Sequence, residues 1–234
     1  MEIRAKVGSI KRVRADAIIM CVYENMKRPR GDLSTVNKAL DGTISELIRN
    51  GEIKGKQGEV TIIHTLGKIT ADRVITVGLG KRAELTLEKI RGAAAEVCRV
   101  LKNKGVKRAA IVALGTCSGI LEPRDSGQAI TEGAILGTYS FRKHMTTKDE
   151  VGELETLTII DRSRSVVNAV QQGITEGAAL AESANLARNL VNEPANFMTP
   201  TQLAAEAAKV AAKYKMTIDV YDRDEIQKMG MVDI

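Results

Sequence analysis

Aromatic residues and long hydrophobic runs are scarce in this sequence. It has no tryptophan, two phenylalanines and four tyrosines, so aromatic residues make up 3% of its 234 residues. Single-stranded nucleic acid would therefore find few rings on which to stack. No run approaches the roughly 18 consecutive apolar residues of a membrane span, and residues 1–6 alternate like a strand and do not resemble a signal peptide. We expect a cytoplasmic protein without a membrane partner.

Residues that form disulfides and metal sites are also few. Cys21, Cys98 and Cys117 are odd in number, widely spaced and set among apolar or small neighbours, which favours reduced, packed thiols. His64 and His144 are the only histidines. Because there is no Cys-x-x-Cys or His-x-x-x-His pair, a zinc site of conventional spacing has little support. The cysteines and histidines therefore do not indicate a zinc site.

The hydrophobic content and the distribution of charge indicate a folded chain with more than one unit. Hydrophobic residues make up 44% of the sequence, enough to bury a large core. The net charge of +6 is unevenly distributed. Residues 1–150 carry 27 Lys and Arg against 17 Asp and Glu, whereas residues 151–234 carry 8 against 12. A basic first part can attract polyanions, including nucleic acid.

Hydrophobic patterns predict an α/β fold in the first part. Helical patterns at 86–103 and 125–142 separate apolar runs typical of strands. The run at 16–23 is so uniformly apolar that it should be covered on both faces. The predicted strands are 2–7, 16–23, 59–64, 73–77, 109–114 and 154–160. We therefore expect three layers with a central mixed sheet, and an exposed loop at 143–153.

The remaining sequence begins a second α/β unit. A long helix is predicted at 165–190, followed by a helix at 200–214, where Thr199 and Gln202 fit a capping box and Pro200 suits the first helical position. A strand at 216–221 and a helix at 224–228 follow, and about 35 residues cannot enclose a core of their own. We place an N-terminal domain at 1–162, and a connector helix with the start of an incomplete second domain at 163–234.

Two glycine turns follow predicted strands. Gly78 and Gly80 formally fit a dinucleotide fingerprint, but the next helix begins only after Thr86, so a tight turn is favoured. The turn at 115–119 could form an anion-binding nest of backbone amides, although a surface turn is favoured. Cys117 as a nucleophile would need a histidine base, and nothing in the spacing of the histidines indicates one.

Charged clusters have local explanations. The basic loops at 27–30 and 54–56 are the first places to test if nucleic acid binds. The acidic residues at 149–150 fit a solvated loop, and those at 222–225 suit a helix start, where they complement the dipole.

Several motifs, taken in order, resemble the leucyl aminopeptidase family, also called the cytosol aminopeptidases. The most specific is the run Arg188–Asn196 with Thr199–Pro200. The others are Gly51–Lys56, Val77–Lys81, Glu132–Gly133 with Tyr139 and Phe141, and Gly230–Met231.

The resemblance implies a macro-domain-like N-terminal domain, joined by a helix to a peptidase domain and usually assembled as a hexamer. Members remove N-terminal residues from peptides with two divalent metal ions, manganese or zinc. The family's Asn-Thr-Asp-Ala-Glu-Gly-Arg and Lys-Gly-x-Thr-Phe-Asp-x-Gly-Gly segments do not occur here, so by correspondence with the family no residue is assigned a catalytic, cofactor-binding or metal-binding role. We therefore expect a truncated chain that is inactive alone and contributes to oligomerisation or scaffolding. The alternative is a binding module for nucleic acid or an ADP-ribose-like ligand.

Overall fold

The chain folds into two compact units, residues 1–185 and 186–234. The structure is a computed structural model that describes residues 1–115, 119–146 and 152–231. The strands are β1 (Glu2–Val7), β2 (Ala17–Val22), β3 (Val60–His64), β4 (Arg73–Gly78), β5 (Arg108–Val112) and β6 (Thr156–Asp161). The helices are α1 (Gly31–Ala39), α2 (Thr43–Arg49), α3 (Leu87–Asn103), α4 (Pro123–Gly137), α5 (Arg164–Asn192), α6 (Pro200–Tyr214) and α7 (Arg223–Lys228).

The first unit is built on one mixed sheet of six strands. Their order is β1-β6-β5-β2-β4-β3, and only β3 runs antiparallel to its neighbour. Strand β2 lies inside the sheet between β4 and β5, and Ala17, Ile18 and Ile19 are completely buried. The prediction that this run is covered on both faces is confirmed, as is the α/β fold with a central mixed sheet.

The connections divide the helices between the two faces of the sheet. From β2 the chain moves towards β4 and β3, whereas from β4 through β5 to β6 it moves the other way. Because such crossovers are right-handed, α1 lies on one face and α3 and α4 lie on the other. The carboxyl ends of β2 and β5 are therefore the point at which the chain turns to opposite faces.

Glycines allow the helices on the second face to approach closely. A Cβ added to Gly133 of α4 would lie 2.2 Å from the carbonyl oxygen of Arg91 in α3. A Cβ on Gly173 of α5 would lie 1.9 Å from the carbonyl oxygen of Arg124 in α4. Both distances are far below van der Waals contact, so these helix pairs pack backbone against backbone.

An ion pair joins the starts of β2 and β5. Asp16 Oδ1 accepts from Arg108 Nη2 at 2.7 Å, and Asp16 Oδ2 accepts from the backbone N–H of Arg108 at 2.8 Å. Burial on its own raises the pKa of Asp16, but the hydrogen bonds and charge of Arg108 outweigh it and hold that pKa below its usual value.

Helix α3 begins as its capping residue predicts, whereas two other helices were not predicted. Thr86 accepts from the backbone N–H of Lys89 at 3.3 Å. Helices α1 and α2 follow β2, and they are short and largely polar. In α1 only Leu33 and Val36 are buried, which is too few to produce a readable helical stripe.

The second unit contains the end of α5, then α6 and α7. Thr199 accepts from the backbone N–H of Gln202 at 3.3 Å and Pro200 occupies the first turn of α6, both as predicted. The Gln202 side chain instead donates to Glu206, so the predicted capping box is only half formed. At the start of α7, Asp222 and Glu225 form a complete capping box.

The predicted strand at 216–221 is wrong. These residues are not in a strand and all are exposed, although Met216, Ile218 and Val220 alternate with more polar residues. A strand needs a neighbour to complete its hydrogen-bond ladder, and every described strand belongs to the first unit.

Of the predicted loop at 143–153, residues 147–151 lie outside the described residues.

Candidate functional site

The glycine turn after β4 is built into a backbone network. Gly80 N–H donates to the carbonyl of Gly55 at 2.9 Å, and Gly80 O accepts from the Glu24 N–H at 2.9 Å. A Cβ on Gly78 would lie 1.9 Å from the carbonyl oxygen of Lys56. These glycines therefore serve close backbone packing, and the amide of Gly80 already has an acceptor.

The loop at 54–56 is held against this turn by a carboxylate. Glu59 Oε2 accepts from the backbone N–H groups of Lys54 at 2.8 Å and Gly55 at 2.6 Å. Gly55 has a φ of +73°, and a Cβ there would lie 2.4 Å from the backbone of Tyr23. Two of the sequence motifs, 51–56 and 77–81, thus meet in one tight junction, which supports the tight-turn interpretation over a dinucleotide fingerprint.

A crevice lies where the chain turns to opposite faces of the sheet. It is a cavity of about 340 Å³ between the carboxyl ends of β2 and β5, and the first turn of α1 forms another wall. Crevices at such switch points are the usual ligand sites of open α/β sheets. Its apolar walls include Met20, Tyr23, Met26 and Val112.

The charged side chains at this crevice are Arg30, Arg82 and Asp32. Asp32 pairs with Arg162, which lies just after β6. With two arginines and one aspartate, the described lining of the crevice carries a net positive charge.

A second concavity is a basic groove beside α1 and α2. Its volume is about 800 Å³, and its charged lining residues are Lys27, Arg28, Lys38 and Arg49, with no carboxylate among the lining residues. Arg49 pairs with Glu46 at 3.3 Å. The groove contains part of the basic cluster at 27–30 singled out in the sequence, whereas the loop at 54–56 does not line it.

The two described thiols differ in burial: Cys21 is partly buried and Cys98 is buried. Cys98 is completely buried, and burial raises the pKa of its thiol to about 12, which suppresses the reactive thiolate. Cys21 lines the crevice. The turn at 115–119 is described only at Gly115 and Gly119, and Cys117 lies outside the described residues.

The His, Cys, Asp and Glu side chains in the described ranges do not form a metal centre. No three His, Cys, Asp or Glu side chains there lie close enough together to hold a metal ion. In the same ranges, no helix is both long and apolar enough to cross a membrane.

In the second unit, the run Arg188–Asn196 contains a helix end and a turn. Glu193, which follows α5, is buried, and its backbone N–H donates to the carbonyl of Asn189 at 3.1 Å. The carbonyl of Pro194 accepts from the N–H groups of Phe197 and Met198 at 2.8 and 2.9 Å. This turn leads directly to the Thr199 cap of α6.

These features define an α/β protein whose first unit has a ligand-sized crevice. Its second unit starts with the end of α5, followed by a turn and the capped helix α6. Two family models match the chain in order. Residues 18–148 match the N-terminal domain of the cytosol aminopeptidase family, and residues 185–234 match the catalytic domain of that family. The chain belongs to the cytosol aminopeptidase family.

Relatives and solved structures agree with this assignment. The chain is 36% identical over 232 residues to a probable cytosol aminopeptidase of Alkaliphilus oremlandii, covering 99% of this chain and 46% of that protein. It is 36% identical over 238 residues to one of Aquifex aeolicus, covering 99% of this chain and 44% of that protein. The chain therefore spans about half the length of the curated relatives it matches.

The fold resembles those of two kinds of solved enzyme. A mutant of tomato leucine aminopeptidase superposes with a TM-score of 0.80 at 20% identity, over 98% of this chain and 46% of the other. The bottromycin maturation enzyme BotP superposes with a TM-score of 0.71 at 24% identity, over 93% of this chain and 41% of the other. BotP has also been solved in complex with Mn.

The sequence did not reveal the crevice residues. Met20 and Val112 lie on strands that are distant in sequence, and only the pairing of β2 with β5 brings them together. Arg82 belongs to a short turn after β4. The available signal was the order of strands and helices, which does not by itself give the order of strands in the sheet.

Proposed function

We propose that this chain is the N-terminal portion of a metal-dependent leucyl aminopeptidase that removes N-terminal residues from peptides in the cytoplasm. The observation that carries the proposal is the order and extent of the family matches. The catalytic-domain match begins at residue 185 and reaches residue 234, while the chain spans 46% of a relative of 36% identity. More than half of such a relative thus has no counterpart in these 234 residues.

The surface of the second unit supports the same proposal. Its large apolar side chains are exposed to an extent unusual for a complete domain. They are Leu186, Val191, Phe197, Leu203, Tyr214, Met216, Ile218, Val220, Tyr221, Met229 and Met231. A continuation of the catalytic domain would cover such a surface and would supply a neighbouring strand to residues 216–221.

The role of the present chain in that enzyme is structural. The family resemblance implies two divalent ions, manganese or zinc. The described residues contain no group of three His, Cys, Asp or Glu side chains that could hold such an ion. We propose that the first unit builds the homo-oligomer, a hexamer, and shapes access to an active site that other residues form. The domain boundary between residues 162 and 163 remains a prediction, since the compact units divide after residue 185.

A chimera tests the proposal. Residues 1–234 are joined to the remaining sequence of the Aquifex aeolicus relative, which is 36% identical over the matched region. We expect manganese-dependent release of p-nitroaniline from Leu-p-nitroanilide, and a hexamer in sedimentation velocity. A folded chimera without activity would contradict the peptidase assignment, and an active monomer would contradict the oligomer role.

The basic groove favours a second candidate function, binding of nucleic acid. Lys27, Arg28 and Lys38 line it, and none of them has an ion pair with any residue in the described ranges. Several adjacent cations without carboxylates attract a phosphate backbone, and such binding weakens steeply as salt rises.

A gel-shift titration on duplex DNA at several salt concentrations tests this candidate. The double variant Lys27→Gln/Arg28→Gln should weaken binding and lower the salt slope by about 2, because each lost phosphate contact removes about one unit. The control Arg99→Gln/Arg124→Gln removes the same charge from ion pairs on α3 and α4. Equal effects of the two double variants, or no shift at low salt, would exclude the groove as the site.

A further inference from the structure

We propose that a third concavity, at the carboxyl ends of β1 and β6, binds a small phosphate ester. This β1–β6 cleft has a volume of about 490 Å³, and its polar and charged lining residues are Ser9, Lys11, Arg12, Thr35 and Arg162. Lys11 and Arg12 bind the phosphoryl group. The site is independent of the peptidase assignment, because all its lining residues belong to the first unit.

The position of the cleft follows from the path of the chain. Val7 and Asp161 are paired in register, so β1 and β6 end side by side. After β1 the chain forms a single 3₁₀ turn, Ile10–Arg12, which packs on α1. After β6 it enters α5, in which Gly173 packs against the backbone of α4 on the opposite face of the sheet. The two segments therefore diverge above the strand ends, as they do at the ligand sites of open α/β sheets.

Two cations of the cleft are available to a ligand. Lys11 and Arg12 are exposed, and neither side chain forms an ion pair or a hydrogen bond with any residue that the structure describes. Arg162 donates to Asp32, so we assign it no contact with the ligand. Binding should therefore depend on the first two side chains.

The carboxylates nearest to the cleft have partners of their own. Asp161 Oδ1 accepts from the backbone N–H of Ser163 at 2.8 Å, and Asp32 accepts from Arg162. No carboxylate is among the described lining residues of the cleft. Two cations without an opposing carboxylate favour a phosphate dianion over a ligand with a single negative charge.

The other donors of the cleft suit the same group. The side chain of Ser9 makes no hydrogen bond to the 3₁₀ turn that follows it. Thr35 Oγ1 donates to Gly31 O at 3.4 Å, which is long for a hydroxyl hydrogen bond. A phosphoryl group offers three strong acceptor oxygens, which an ammonium, a guanidinium and a hydroxyl can satisfy together.

The size and the walls of the cleft favour an ester over free phosphate. Its volume of about 490 Å³ lies within the range of ligand pockets, which begins near 300 Å³, so a small organic group fits beside the phosphoryl group. No aromatic side chain is among the described lining residues, so a heterocyclic base would find no ring on which to stack. A short hydroxyl-bearing ester, such as glycerol phosphate, matches these walls.

Titration of the intact chain with glycerol phosphate at low salt, followed by amide NMR spectra, tests the proposal. We expect saturable shifts of the amides that line the cleft. The double variant Lys11→Gln/Arg12→Gln should raise the Kd at least about tenfold, as loss of charge-assisted hydrogen bonds does. The double variant Lys27→Gln/Arg28→Gln removes the same charge from the basic groove and should bind glycerol phosphate like the parent chain.

Two further ligands separate the parts of the site. Glycerol, which lacks the phosphoryl group, should cause no saturable shift, and inorganic phosphate should shift the same amides with a higher Kd. Circular dichroism should show the same unfolding temperature for both double variants, since each replaces exposed side chains. The proposal is overturned if millimolar glycerol phosphate shifts no amide of the cleft, if the two double variants weaken binding equally, or if inorganic phosphate binds as tightly as the ester.

Discussion

Replacing Gly133 by alanine should lower the free energy of unfolding of the first unit by about 2–3 kcal/mol, the upper part of the usual cost of overpacking. The new methyl group would lie 2.2 Å from the carbonyl oxygen of Arg91 and 3.0 Å from Ala94 Cβ. A backbone oxygen cannot rotate away as a side chain can, so α3 and α4 must separate. Separation also strains the ion pair between the buried Glu132 and the partly buried Arg91, whose Oε2 and Nε atoms are 2.6 Å apart.

Gly92→Ala is the matched control. Gly92 lies on α3 next to Arg91, and an added Cβ there has nothing within 4 Å. Alanine is a better helix former than glycine, so this variant should gain up to about 1 kcal/mol. Urea unfolding followed by circular dichroism measures both variants. Equal changes in stability, or a gain for Gly133→Ala, would contradict the close packing of these helices.

The sequence predicts those elements whose signal is local. The uniformly apolar strand β2, the stripe of α3 and the Thr86 and Thr199 caps all depend on residues within a few positions of each other. These elements were predicted with ends that differ from the structure by one or two residues. Local sequence is sufficient here because burial on both faces and a capped start leave distinct patterns.

Other features depend on contacts between distant residues. Helix α1 buries only two side chains, Leu33 and Val36, so no periodic apolar pattern marks it in the sequence. The crevice requires the pairing of β2 with β5, whose paired residues Ala17 and Ala109 are 92 positions apart. No short-range pattern specifies that pairing, so the sequence could not place Met20 beside Val112.

Residues 216–221 show the opposite case. Their alternating pattern is typical of a strand, yet the described part of the second unit offers no strand with which they could pair. The pattern therefore indicates what these residues can form when a neighbour is present. We expect the chimera that tests activity to supply that neighbour.

The purified 234-residue chain should have no aminopeptidase activity, which is the largest functional effect that we expect. Metal-assisted hydrolysis needs ligands that hold the ions and activate water. The described residues contain no group of three suitable side chains in proximity, and the chain spans 46% of a relative with 36% identity. Adding manganese or zinc should therefore not produce activity.

The most direct test of this account is turnover of Leu-p-nitroanilide by the chain alone and by its chimera, at equal concentration with added manganese. The account predicts no release of p-nitroaniline above the buffer rate for residues 1–234, and clear metal-dependent release for the chimera. Turnover that coelutes with the 234-residue chain through two different columns, and that a chelator abolishes, would contradict it.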